Sequence, residues 1–245
     1  MTSTQTRTKP QPRPETQSEA QSEAQSEAQS EAQPFDAAAE FDRQVGTLTA
    51  LGYPGLAGLS DDAFAALVAP LRKAAVAHGG AAPAEGRLPF LLVVTRALVP
   101  IEETMPLTTL EGKKKPGFVD HSYEPGALER FVTVEDVEIP GEKVYLLVDV
   151  DRGEEFCGAI PNDAMAAIAA RGRTLLTIEE GIAFVTQQPA ALAKNKCFSL
   201  GASRSGDRRL PALWRSDNKP KLGWCWTGNP HTWLGVASAG GRAGA

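Results

Sequence analysis

Between Lys194 and Lys221 the chain carries eight Lys or Arg residues against two Asp, and Trp224, Trp226, Trp233, Cys197, Cys225 and His231 interleave with or follow them. In KNKCFSLGASRSGDRRLPALW (194–214), the small residues Gly201, Ala202, Ser203, Ser205 and Gly206 surround Arg204, and Asp207, Arg208 and Arg209 follow at once. Small residues let backbone N–H groups approach a ligand, and Arg offers a planar, bidentate donor to carboxylate or phosphate. In PKLGWCWTGNPHTWLG (220–235), a Trp-rich segment leads into the turn Gly228-Asn229-Pro230, which presents His231 before Trp233. Aromatic walls with a few convergent polar groups are what a small-ligand pocket requires.

The two segments together predict a pocket for a small anionic ligand. Arg204, Arg208 and Arg209 would hold the anion, and Asp207 would orient one of them. Asn229 and His231 would contact the recognised or reacting end, and Trp224, Trp226 and Trp233 would wall it. If the protein is an enzyme, which the sequence leaves open, His231 is its natural general acid/base, because imidazole titrates near neutrality. The competing class is a non-enzymatic interaction protein that docks an acidic partner through this basic face, with the Trp residues merely core.

Other chemistries find less support. Gly201 and Gly206 give half a P-loop, but Asp207-Arg208 stands where Lys-Ser/Thr is required, and an Asp there would repel phosphate. Asp149 and Asp151, two apart at a strand end, would put both carboxylates on one face, yet D-x-D followed by R-G-E-E reads as well as a charged turn paired to basic residues. Cys197, Cys225 and His231 lack the spacing of a zinc site, and both thiols are flanked by large apolar residues, as buried, inert Cys are. No metal ligand set is predicted and no cofactor is indicated. Nucleic acid is disfavoured by the acidic balance and by the lack of a recognisable binding motif.

The net charge of −5 hides an asymmetry: residues 194–245 carry +7 and the remainder −12. No run of 18 apolar residues occurs, so no membrane span is expected. The start has basic residues but no apolar stretch behind them, unlike a secretory signal, and three Cys then read as reduced thiols of a cytoplasmic protein.

Positioning elements can be read along the chain. Residues 1–34 contain QSEA four times in tandem; like charges at i,i+4 without an apolar stripe predict a disordered tail before one domain over 35–245. Phe41, Val45, Leu48 and Leu51 predict a helix ended by Gly52 and Pro54. Ser60 caps a second, running through Ala75 to Gly79-Gly80, and the two form a helical hairpin. Pro89–Thr95 and Lys143–Asp151 read as buried strands, Glu111–Gly126 as a long surface loop, and Asn162–Ala170 as a short helix. Thr177 and Glu180 form a capping box that opens a helix limited by Pro189. After Lys196 the pattern turns extended, with Leu222, Trp224 and Trp226 alternating against Lys221, Gly223 and Cys225. The order predicts an α+β domain in which the helical hairpin packs on a mixed, mostly antiparallel sheet.

The blocks CFSLGASRSGDRRLPALW and GWCWTGNPHTWLG, with FDRQVGTLTALGYPGLAGLS, YLLVDVDRGEEF and RGRTLLTIEEGIAFVTQQP, resemble a family of uncharacterised actinobacterial proteins described as a domain of unknown function. The resemblance runs from Phe35 to about Arg242 and omits the QSEA tail. It implies a soluble bacterial protein, essentially one domain, and carries over no activity or catalytic residue.

Overall fold

The computed structural model describes Met1 and residues 35–141 and 143–245; the QSEA tail lies outside them. Four helices open the described part. In α1 (Ala37–Ala50) the Asp36 carboxylate caps the first turn, accepting from the N–H groups of Ala38 and Ala39 at 2.9 and 3.0 Å. It ends before Gly52, which adopts φ 85°. Pro54 does not simply stop the chain there. It sits in the first turn of α2 (Tyr53–Leu56), where a missing N–H leaves nothing unpaired. Ser60 caps α3 (Asp61–Val68) as expected, but the predicted long helix is cut at Ala69-Pro70 and restarts as α4 (Leu71–His78). Pro70 has no N–H to give to the preceding turn.

Phe41, Leu48, Phe64, Val68, Leu71 and Ala75 of this layer pack on Phe90, Leu92 and Val94 of strand β1 (Arg87–Val94) and Leu146 of a later strand. A short helix, α5 (Ile101–Thr104), follows β1. The stretch 111–126, predicted as loop throughout, contains strand β2 (Phe118–Val119). Its side chains carry no run of alternation, and it is a strand only because it lies beside a distant partner. Next come β3 (Val132–Thr133) and β4 (Val144–Asp151), then α6 (Pro161–Ala170), β5 (Thr174–Leu175) and α7 (Ile178–Gln187). The remaining elements are β6 (Cys197–Ser199), β7 (Ser203–Arg204), β8 (Arg209–Ser216), β9 (Lys219–Trp226), β10 (Leu234–Val236), β11 (Ser238–Ala239) and β12 (Gly241–Ala243).

The fold is α+β, with two principal sheets where one was expected. In the first, β4 is central: β1 pairs it antiparallel on one edge, and β11 and β12 pair it on the other, β11 continuing to β5. Along β4, Leu146 faces the helical layer while Tyr145 and Leu147 face a second core. Asp149, at φ 51°, resets this alternation, so that Val150 and its partner Leu88 both turn to the second core. Asp tolerates the left-handed region better than most residues.

The second sheet runs β10-β6-β8-β9-β2, antiparallel in its centre with parallel pairs at both ends. A β8–β9 hairpin forms its body, closed by Asp217 and Asn218 at φ 52° and 60°. Two successive positive φ values define the turn that best matches strand twist. A small β3–β7 ladder stands apart. Helix α7 lies between the sheets, buried along nearly its whole length. A Cβ on Gly181 would overlap Leu200 and stand 3.1 Å from Leu213 Cδ1, so glycine sets how closely helix and sheet approach.

Candidate functional site

The hairpin register decides where the predicted C-terminal residues stand. Arg209 is opposite Trp226 and Pro211 opposite Trp224, so these side chains share one face. Trp214, opposite Lys221, is on the other, where its ring fills the space that a Cβ on Gly223 would occupy. Trp233 meets Trp214 there at 6.2 Å between ring centroids, and His231 stacks on Trp233 at 5.2 Å. His231 and Trp233 therefore lie across the hairpin from Arg209, Trp224 and Trp226. The two segments do converge, but onto opposite faces, and the expected single cavity is divided by the sheet itself.

On the first face, Asp207 accepts from the backbone N–H of Arg209 at 2.8 Å, from its guanidinium at 2.7 and 2.8 Å, and from Ser205 Oγ at 3.0 Å. Arg209 also lies over the rings of Phe131 and Trp224, at 5.4 and 5.8 Å. The Arg209 guanidinium beside it holds the Asp207 carboxyl down at about 2. Asp207 thus fixes Arg209, and that Arg is committed to it. Arg204 Nη2 donates to the Asp207 carbonyl at 3.0 Å. Arg208 lies beside Gly228, where an added Cβ would be 3.1 Å from Nη2. Trp226, 43% exposed, stands edge-on to Trp224 at 4.9 Å. The Asn229 N–H closes its turn onto the Trp226 carbonyl at 3.0 Å.

Of the remaining candidates, Asp149 pairs with Arg173, and Asp151 pairs with Arg87 while accepting from Gly153 N–H at 2.7 Å. Among the described residues no group of three or more His, Cys, Asp or Glu is placed to hold a metal ion. Cys157, Cys197 and Cys225 are free thiols, each pushed up by burial.

A cleft of about 400 Å³ opens elsewhere, among the end of β1 (Thr95, Arg96), the β3–β7 ladder (Val132, Thr133), Tyr145 of β4 and the head of α7 (Thr177, Glu179). Its walls are mainly apolar, and Val132 at its mouth is 61% exposed. At one rim Arg96 pairs through Nε with Glu179 and donates Nη1 to the Leu128 carbonyl at 3.0 Å.

Beneath the cleft lies a closed polar network. Glu180, with no exposed surface, accepts from Tyr145 Oη at 2.8 Å, Thr177 N–H at 2.7 Å, and Arg242 Nε and Nη2 at 2.6 and 2.8 Å. Arg242 also donates to Thr174 Oγ1 and the Leu175 carbonyl, at 2.8 and 2.9 Å. Burial, then the neighbouring Glu180 charge, pushes the Tyr145 phenol well above its ordinary range, so it stays a proton donor. Burial alone would lower Arg242; the Glu180 carboxylate more than offsets this and holds it above its ordinary value. The capping box was legible in T-x-x-E. That its Glu also anchors a buried Arg was not, because Arg242 is distant in sequence.

A family model matches residues 47–245. The chain belongs to that family, a family of unknown function (DUF5701). The DUF5701 match takes in the cleft, the network beneath it and both faces of the hairpin. No curated protein and no solved structure matches the chain. Among the described residues no helix is long and apolar enough to cross a membrane.

Proposed function

We propose that this protein binds a small molecule in the cleft over Tyr145. The supporting observation is a concave, mainly apolar space of about 400 Å³ whose floor is held by buried, fully hydrogen-bonded charges. That volume lies within the usual range for small-ligand pockets. Tyr145, Thr177 and Glu179 are fixed by β4 and the first turn of α7, so the cleft is preformed and its ligand loses little to ordering of the site. Binding is favoured over catalysis, because Tyr145 is already committed to Glu180 and Arg96 to Glu179. The free thiols agree with a cytoplasmic setting.

Val132→Trp should fill the mouth of the cleft without disturbing the core, since Val132 is largely exposed. Compounds that raise the melting temperature of the natural protein should lose that effect in the variant, while its circular dichroism stays native. A ligand at 100 times its Kd stabilises by about 2.7 kcal/mol, a readily measured shift. Identical responses from both proteins would refute the proposal.

A second reading concerns the basic end of the hairpin. Exposed Trp226, opposite Arg209 in the hairpin and followed by Gly228 beside the Arg208 guanidinium, supports docking of an acidic partner there rather than an anion pocket shared with His231. The natural protein should then show a salt-sensitive association in pull-downs, and Arg208→Ala with Trp226→Ala should abolish it. Retention of that association by the double variant would count against this surface.

A further inference from the structure

We infer that the ligand of the cleft is an organic cation, an amine with an apolar body whose ammonium group is held between Glu129 and Glu179. The inference rests on the cleft reading above and concerns the charges that face the cleft. Its lining contains two carboxylates, Glu129 and Glu179, and one guanidinium, Arg96. Arg96 is committed to Glu179 through Nε and to the Leu128 carbonyl through Nη1.

The surroundings reinforce the sign. A cavity of about 190 Å³ shares the Arg96 and Glu129 walls and adds Glu102. A broad depression of about 760 Å³ shares Ile139 with the cleft and adds Glu135, Asp136 and Glu138. Its only lining cation among the described residues is Arg242, already bound to Glu180. Across the three adjoining spaces, six carboxylates face two guanidiniums, and both guanidiniums are paired. Arg204, opposite Val132 in the β3–β7 ladder, directs Nη2 to the Asp207 carbonyl. A concave, apolar-walled space whose lining is negative in balance concentrates the opposite sign. An anion would meet an Arg96 whose charge Glu179 already balances, and would lie beside that carboxylate and Glu129. An ammonium meets acceptors already in place, while Val132 and Ile139 cover its methylene groups.

Three probes of one body and different heads separate the possibilities: hexylamine, 1-hexanol and hexanoate, titrated into the full chain by ligand-observed NMR. Hexylamine should bind at least about tenfold more tightly than hexanoate, a difference of about 1.4 kcal/mol. Rising salt should weaken hexylamine and leave hexanol unchanged. Glu129→Gln, on an exposed rim residue whose loss leaves the fold intact, should weaken hexylamine about three- to fivefold and hexanol not at all. Glu179→Gln should do the same while releasing Arg96. If hexanoate or hexanol binds as tightly as hexylamine, and Val132→Trp blocks that binding, the cation assignment falls and the cleft stands. If none of the three binds, or hexylamine binding survives Val132→Trp, the cleft reading falls and the cation assignment with it.

Discussion

Replacing Arg242 with Met is expected to destabilise the domain by about 3–5 kcal/mol. The change removes two hydrogen bonds to Glu180 and leaves a carboxylate with no exposed surface facing Tyr145 and Thr177 alone. Deleting one partner of a buried pair exacts the desolvation penalty of the other, and this loss rivals the whole stability of many domains. The doubly substituted Arg242→Met/Glu180→Leu protein should recover most of the loss, since no orphaned charge remains. Tyr145→Phe, which removes a single donor to Glu180, should cost about 1–2 kcal/mol. Urea unfolding of the four proteins gives the comparison. A cost below about 1 kcal/mol for Arg242→Met would match a surface pair and contradict the buried network.

Gly153→Ala is expected to cost more than about 4 kcal/mol, or to prevent folding. Gly153, just past β4, has φ 71°, and a Cβ there would overlap the Val236 carbonyl oxygen of β10. Gly235 meets the Gly153 carbonyl in the same way, so the two backbones cross where neither can hold a side chain. Relief would require β10 to move away from β6, its parallel partner. Gly112→Ala isolates the other contribution. Gly112 has φ 64° with nothing within 4 Å of an added Cβ, and should cost only the backbone strain of about 1–2 kcal/mol. Equal effects at the two sites would show that the crossing is not tight.

Local signals were legible in the sequence wherever the cause was local. Ser60 and Thr177 cap the helices they were expected to cap, and the apolar runs around Leu91 and Leu147 are buried strands. Pro70 could have been read as a helix break, and Asp217-Asn218 as a hairpin turn, from residue chemistry alone. Recognising that turn would have supplied β8, and with it the alternation that places Trp214 and Trp224 on opposite faces. The candidate site was less accessible. Basic and aromatic residues near one another in sequence predicted one cavity, but a strand sends neighbours to alternate faces, and a hairpin carries that division across both strands. The cleft over Tyr145 draws on β1, β3, β4 and α7, far apart in the chain, and of its residues only Thr177 belongs to a motif, a capping box that speaks of a helix start and not of a cleft. Only the capping box of Thr177 and Glu180, at the head of a largely apolar helix, marked the place.

The double pairing of β4 bears on solubility. Its segment Val144–Val148 is the type of apolar, β-prone sequence that self-associates when an edge is open; β1 covers one edge throughout, and β12 covers the other over Leu146–Val148. Arg242 lies on β12, so the charge buried at Glu180 also keeps that strand in place. Proteins weakened at this contact should aggregate before they unfold fully, with turbidity rising ahead of the loss of helical signal.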